Sequence, residues 1–102
     1  MKTGEKIRHL RTQAGMKQGE LANRLKVTVS YLSQIERGRR PGVAFIRRFS
    51  RHFDIPTGYF FLDPNEKWKG TREDAQTWKT IHRLMNDLFS RRVQTVAKSR
   101  RP

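Results

Sequence analysis

The 102-residue chain contains no cysteine. Disulfides, thiolate nucleophiles and cysteine-based metal sites are therefore excluded. Long apolar runs are missing too. The longest, Val43-Ala44-Phe45-Ile46 and Tyr59-Phe60-Phe61-Leu62, have four residues each, too few to cross a bilayer or to form a signal-peptide core. A cytoplasmic address is the default expectation. The three histidines, His9, His52 and His82, are far apart and lack metal-ligand spacing; they are expected to be ordinary surface or half-buried residues. The glycines are scattered rather than gathered into a phosphate-binding loop. Glu73 and Asp74 are adjacent and suit helix capping better than paired acid–base work. No catalytic constellation emerges, so no enzyme, cofactor or metal is expected.

Acidic residues are scarce as well. Nine Asp and Glu stand against 23 Lys and Arg, a net charge of +14. The excess is spread along the chain: residues 1–62 carry 13 basic and 4 acidic side chains, residues 63–102 carry 10 and 5. Self-repulsion on this scale opposes compaction. Nucleic acid, an anionic membrane surface and mere solubility all remain open, and a polyanionic nucleic acid is the most economical.

Apolar spacing predicts an all-α fold. A first helix is expected from about Thr3 to Ala14, with Ile7, Leu10 and Ala14 inward, Thr3 as N-cap and Gly15 as left-handed C-cap. A second runs from about Lys17 to Leu25. A short break at Lys26-Val27 precedes a third, capped by Thr28 and ending at Gly38. Arg39-Arg40-Pro41-Gly42 reads as a basic turn. A fourth helix covers about Val43 to Phe53 and buries Phe45, Ile46, Phe49 and Phe53. Pro56 opens a short fifth one that ends near Phe61. Residues 1–62 thus form one domain and 63–70 a linker in which Trp68 is expected to dock on the core. Thr71-Arg72-Glu73-Asp74 has the form of a capping box for a long helix over 71–97, followed by a basic tail at 98–102.

Two short helices joined by a tight turn in a basic protein suggest a helix-turn-helix. The stretch from Gln18-Gly19-Glu20-Leu21-Ala22 through Val27-Thr28-Val29-Ser30-Tyr31-Leu32-Ser33-Gln34-Ile35-Glu36-Arg37-Gly38-Arg39-Arg40-Pro41 resembles the phage repressor/Cro-like family of transcriptional regulators. The resemblance covers about residues 4–62 and implies a five-helix DNA-binding domain. It places Val29, Ser30 and Gln34 at base-reading positions, with Thr28 and Ser33 nearby. It makes Gln18 a phosphate contact and pairs Glu36 with an arginine of the first helix, here Arg11. Two residues depart from the pattern. Lys17 stands where Ser or Thr often caps the second helix, and Lys26 replaces the glycine usual after it.

Elementary chemistry points the same way. A major groove ~12 Å wide admits one helix, and Val29, Ser30, Ser33 and Gln34 share one face of the third. Glutamine can pair bidentately with adenine N6 and N7, while Val29 and the Thr28 methyl suit a thymine methyl. Gln18 with nearby backbone N–H groups suits an anion. Arg37, Arg39 and Arg40, with Lys17 beside Gln18, are expected to grip flanking phosphates. Lys2, Lys6 and Arg8 are expected to be solvent charges.

One such domain reads few base pairs, so a homodimer on two half-sites is expected. Trp78, Ile81, Met85 and Leu88 alternate at spacings of 3 and 4 along the last helix and form the candidate seam, though Arg92 interrupts its continuation. Packing of this stripe on its own domain is the competing outcome. Arg91, Arg92, Lys98, Arg100 and Arg101 add a basic end. The expected function is a sequence-specific double-stranded DNA-binding regulator, most simply a repressor. An antitoxin-like protein, whose last helix binds a partner protein, is the alternative.

Overall fold

A computed structural model describes residues 2–63 and 70–99. The expectations for Trp68, Arg100 and Arg101, and most of the 63–70 linker, lie outside the described residues. The elements are α1 (Thr3–Gln13), α2 (Gln18–Arg24), α3 (Val29–Glu36), α4 (Val43–Phe53), a 3-10 helix (Thr57–Phe61) and α5 (Arg72–Ser99). No strand occurs among the described residues.

The helix ends follow from local chemistry. Gly15 takes φ 71° after α1 and Gly38 takes φ 121° after α3, conformations that cost glycine little. Thr28 accepts the Tyr31 N–H at the start of α3. Thr71 accepts the Asp74 N–H at 3.0 Å, and Asp74 returns the bond to the Thr71 N–H at 3.0 Å. One end differs from expectation. Thr3 lies inside α1, and its hydroxyl donates to the Phe60 carbonyl at 2.7 Å, so Lys2 occupies the N-cap. Asp54, in the left-handed region at φ 55°, closes α4 without a glycine. The short fifth element is 3-10 rather than α, in keeping with its five residues.

The core is one cluster built from every element. Ile7 and Leu10 of α1, Leu21 of α2, Leu32 and Ile35 of α3, and Ile46, Phe49 and Phe53 of α4 are fully buried. Phe49 packs at 4.9 Å from Phe53 and edge-on at 5.3 Å from Phe60. Burying each large apolar side chain stabilises the fold by ~1.5–3 kcal/mol. The first turn of α1 abuts the end of α3 so closely that a Cβ on Gly4 would lie 2.1 Å from the Ile35 carbonyl oxygen.

The long helix lies along its own domain. His9 Nε2 is 2.8 Å from Ser90 Oγ, and Gln94 donates to Gln13 at 2.8 Å. Both pairs advance one turn in the same sense, so α1 and α5 run parallel. The apolar residues of α5 divide into two rows. Phe89, Val93 and Val96 are buried, Met85 packs against them, and Phe89 meets Tyr59 edge-on at 4.7 Å. Trp78 is half-buried; it meets His82 edge-on at 5.1 Å and donates its indole N–H to the Asp63 carbonyl at 3.0 Å. Ile81, Leu84 and Leu88 stay 42%, 57% and 50% exposed. At ~100° per residue these three sit roughly a quarter-turn from the buried row. Of the four seam candidates, Trp78 and Met85 therefore serve the domain, while Ile81 and Leu88 face outward.

Lys6 and His82 also depart from expectation. Lys6 is fully buried, one turn before Leu10 on the inward face of α1. Its ammonium donates to the carbonyls of Tyr59 and Leu62 and lies 4.5 Å from the Tyr59 ring centroid. Burial pulls its pKa down to about 8, against an opposing pull from Asp63. His82 of α5 is buried, with Nε2 3.5 Å from the Lys6 ammonium and 3.3 Å from the Leu62 carbonyl. Burial lowers its pKa too. The Tyr59 hydroxyl donates to Asn86, and burial pushes its pKa up to about 12. This polar knot joins α1, the 3-10 segment and α5.

Candidate nucleic-acid interface

The α2–turn–α3 unit is held by one carboxylate. Arg11 clasps Glu36 with two bonds, Nε to Oε2 at 2.7 Å and Nη2 to Oε1 at 2.9 Å. The Arg11 Nη1 donates to the Met16 carbonyl at 2.9 Å. Gln18 donates from Nε2 to Glu36 Oε1 at 3.2 Å. Side-chain exposure is 12% for Arg11 and 3% for Glu36. A fork-on-fork pair so sheltered fixes orientation as well as energy. Glu36 thus fastens α1, α2 and α3 together, and its charge is buried and neutralised by Arg11.

The turn between α2 and α3 holds Lys26 at φ 57°, left-handed without a glycine. Such a residue carries a penalty of ~1 kcal/mol or more. Arg48 of α4 donates to the Leu25 carbonyl at 3.1 Å and so satisfies an acceptor at the end of α2. Glu20 reaches back toward the Lys17 N–H at 3.5 Å, the edge of hydrogen bonding. A carboxylate in this first turn offsets the absence of a hydroxyl cap at Lys17.

On the outer side of α3, Val29 and Ser30 are exposed and Ser33 and Gln34 are half-buried. Thr28 is exposed, but its hydroxyl is committed to the cap. Leu32 and Ile35 anchor the opposite side in the core. The outer face therefore carries small and amide side chains and no uncompensated carboxylate. On either side of Gly38, the exposed Arg37, Arg39 and Arg40 flank its C-terminal end. Lys2, Arg37, Arg39 and Arg40 share a cleft of about 300 Å³ between the start of α1 and the α3–α4 turn. Lys2, expected to be a solvent charge, thus lies beside the basic group, with Glu5 in the same cleft. Lys17 is exposed, and Gln18 is half-buried through its bond to Glu36.

Arg39 is not a loose surface cation. Its Nη1 donates to Gln34 Oε1 at 2.6 Å, and its guanidinium lies 4.9 Å from the Tyr31 ring centroid. Gln34 Nε2 is 3.4 Å from Ser30 Oγ. Ser30, Gln34, Arg39 and Tyr31 form one connected polar row.

The family model for a helix-turn-helix domain matches residues 7–60. HTH-type transcriptional regulator RamB of Mycobacterium tuberculosis is 38% identical over 58 residues, which cover 56% of this chain and 12% of that protein. HTH-type transcriptional regulator PrpR of the same organism is 30% identical over 76 residues, 74% of this chain and 16% of that protein. The chain therefore spans a small fraction of these relatives' length. No solved structure matches it. The matched residues run from α1 into the 3-10 segment and include the whole α2–turn–α3 unit with its Arg11–Glu36 clasp, so the chain belongs to the helix-turn-helix family.

Proposed function

We propose that this protein is a transcriptional regulator that binds specific double-stranded DNA by laying α3 in the major groove. The outer face of α3 carries the argument: Val29, Ser30, Ser33 and Gln34 sit on a rod whose one carboxylate is withdrawn into Arg11, with cations at its end. In this reading Gln34 meets adenine, and Val29 and the Thr28 methyl meet thymine methyls. Ser30 and Ser33 supply permissive contacts. Lys17, Gln18, Arg37, Arg39 and Arg40 set the register on phosphates. The names of the mycobacterial relatives, both HTH-type transcriptional regulators, agree with it.

The protein acts as a homodimer and represses by occluding a promoter. The outward row Ile81, Leu84 and Leu88 is the apolar surface offered for pairing. Selection from a random duplex pool tests the DNA reading directly. The expected product is a pair of half-sites about 10 base pairs apart, or a multiple of that. Equal retention of selected and scrambled duplexes across a salt titration would sink it. Leu84→Glu tests the pairing surface: a dimer in sedimentation that dissociates with unchanged circular dichroism supports it, and a persisting dimer moves the contact elsewhere. The same exposed row favours one second reading, an antitoxin-like protein that seats a partner protein there. Co-purification of a stable hetero-complex with a co-encoded neighbour, lost on Leu84→Glu, selects that reading.

A further inference from the structure

We infer that Arg39 determines sequence specificity by locking the orientation of the Gln34 amide. The inference rests on α3 being the base-reading helix.

Three contacts pin Arg39. Its backbone N–H donates to the Gln34 carbonyl at 2.9 Å, because Gly38 at φ 121° turns the chain back over the end of α3. The guanidinium Nη1 donates to Gln34 Oε1 at 2.6 Å. The same guanidinium lies 4.9 Å from the Tyr31 ring centroid. That ring is fixed in turn: its hydroxyl accepts the Gly42 N–H at 3.1 Å, and its edge meets Phe45 at 5.8 Å. Arg39 is thus held between a fixed aromatic face and the side chain of a base-reading candidate. A residue bound only to phosphate needs no such tether.

The consequence follows from amide chemistry. A free glutamine offers a donor and an acceptor and can turn over to present them in either order. Beside a guanidinium only the carbonyl oxygen is tolerated, since an NH2 there would face N–H donors head-on. Gln34 is therefore held with Oε1 toward the end of α3 and Nε2 toward Ser30, 3.4 Å away. The second lone pair of Oε1 and one Nε2 hydrogen remain for a base edge. In the major groove the order of donor and acceptor is what separates one base pair from another. Fixing that order makes Gln34 selective, and Arg39 is its positioning residue. Lysine cannot replace arginine here, because it lacks the planar fork that both stacks and directs a donor.

The test compares wild type, Gln34→Ala, Arg39→Ala, Arg39→Lys and the Gln34→Ala/Arg39→Ala double variant. All are run against the pool-selected duplex and its single-base-pair variants, with salt titrations and circular dichroism melts. Gln34→Ala is expected to flatten preference at one base pair by about tenfold, the size of a bidentate contact. Arg39→Ala and Arg39→Lys flatten the same base pair, and the double variant flattens it no further than Gln34→Ala. Arg39→Lys keeps the wild-type salt slope, which separates orientation from charge. If both Arg39 variants retain the full preference, Arg39 touches backbone only and the inference falls, while base reading by Gln34 stands. Preference lost on Arg39→Ala but not on Gln34→Ala makes Arg39 a direct reader and also overturns it. A wild-type protein with no preference removes the underlying DNA reading instead.

Discussion

Removing Glu36 should unfold much of the margin on which the domain depends. Glu36 is 3% exposed and receives two bonds from Arg11 and one from Gln18. Truncation to alanine leaves the Arg11 guanidinium, 12% exposed, and the Gln18 amide without their shared acceptor. Breaking one side of a sheltered pair costs ~3–5 kcal/mol. Arg11 keeps its bond to the Met16 carbonyl and reaches some solvent, which favours ~3 kcal/mol, the lower end of that range. Small domains have only ~5–15 kcal/mol in total, so the loss is large. With a urea slope of ~1–2 kcal/mol per molar, the midpoint of Glu36→Ala should fall by ~1.5–3 M. Equilibrium denaturation followed by helical circular dichroism reads it. The double variant Arg11→Met/Glu36→Leu should recover most of the loss, since no charge is then stranded. A shift below ~0.5 kcal/mol for Glu36→Ala, the scale of an exposed pair, would refute the reasoning. So would a double variant as unstable as the single one.

Gly4→Ala should cost ~1–3 kcal/mol or more, because the new methyl would sit 2.1 Å from the Ile35 carbonyl oxygen and force α1 from α3; an unchanged melting temperature contradicts that packing. Lys26→Gly should gain ~0.5–1 kcal/mol by relieving the left-handed lysine, net of glycine's greater freedom when unfolded; a destabilised variant in urea would count against it. Stability should also vary with pH. His82, lowered from 6.5, binds its proton more readily when unfolded, so stability falls as pH drops through the ordinary histidine range. Lys6, lowered from 10.5 to about 8, stays protonated longer in the unfolded chain, so stability rises between those values. Tyr59, raised from 10.0 to about 12, resists ionisation when folded, so stability falls again above pH 10. Urea midpoints from pH 5 to 11 should trace this profile, and Lys6→Met should abolish the rise above pH 8; a profile identical in both proteins would remove Lys6 from it.

What local pattern controls was legible in the sequence. Helix periodicity, the Thr28 and Thr71 caps and the Gly15 and Gly38 stops are properties of neighbours within one or two turns. What escaped depends on distant partners. Lys6 finds its acceptors at Tyr59 and Leu62, more than 50 residues on, and its long stem lets it share a face with Leu10 while its ammonium is satisfied by carbonyls. The one clue was its i, i+4 relation to Leu10. His82 was hidden for the same reason, flanked by the apolar stripe of α5 but reading as polar. That stripe could not be divided from sequence, because both its rows are apolar and only the direction of α1 decides which is covered. At the interface, the sequence marked Gln34 and Arg39 separately. Their spacing of five is not a helical neighbour relation, and only the turn at Gly38 brings them together.

The parallel seating of α5 on α1 sets a limit on modularity. Phe89, Val93 and Val96 furnish one wall of the same cluster that holds Leu10 and Tyr59. The recognition unit of residues 7–60 is therefore not self-sealing. Anyone transplanting it into another scaffold, or trimming the chain to that stretch, exposes an apolar flank on α1 and leaves the Tyr59 carbonyl without the Lys6 ammonium that it accepts from. A chimaera that carries residues 2–99 keeps the seal and is the smallest graft this architecture recommends.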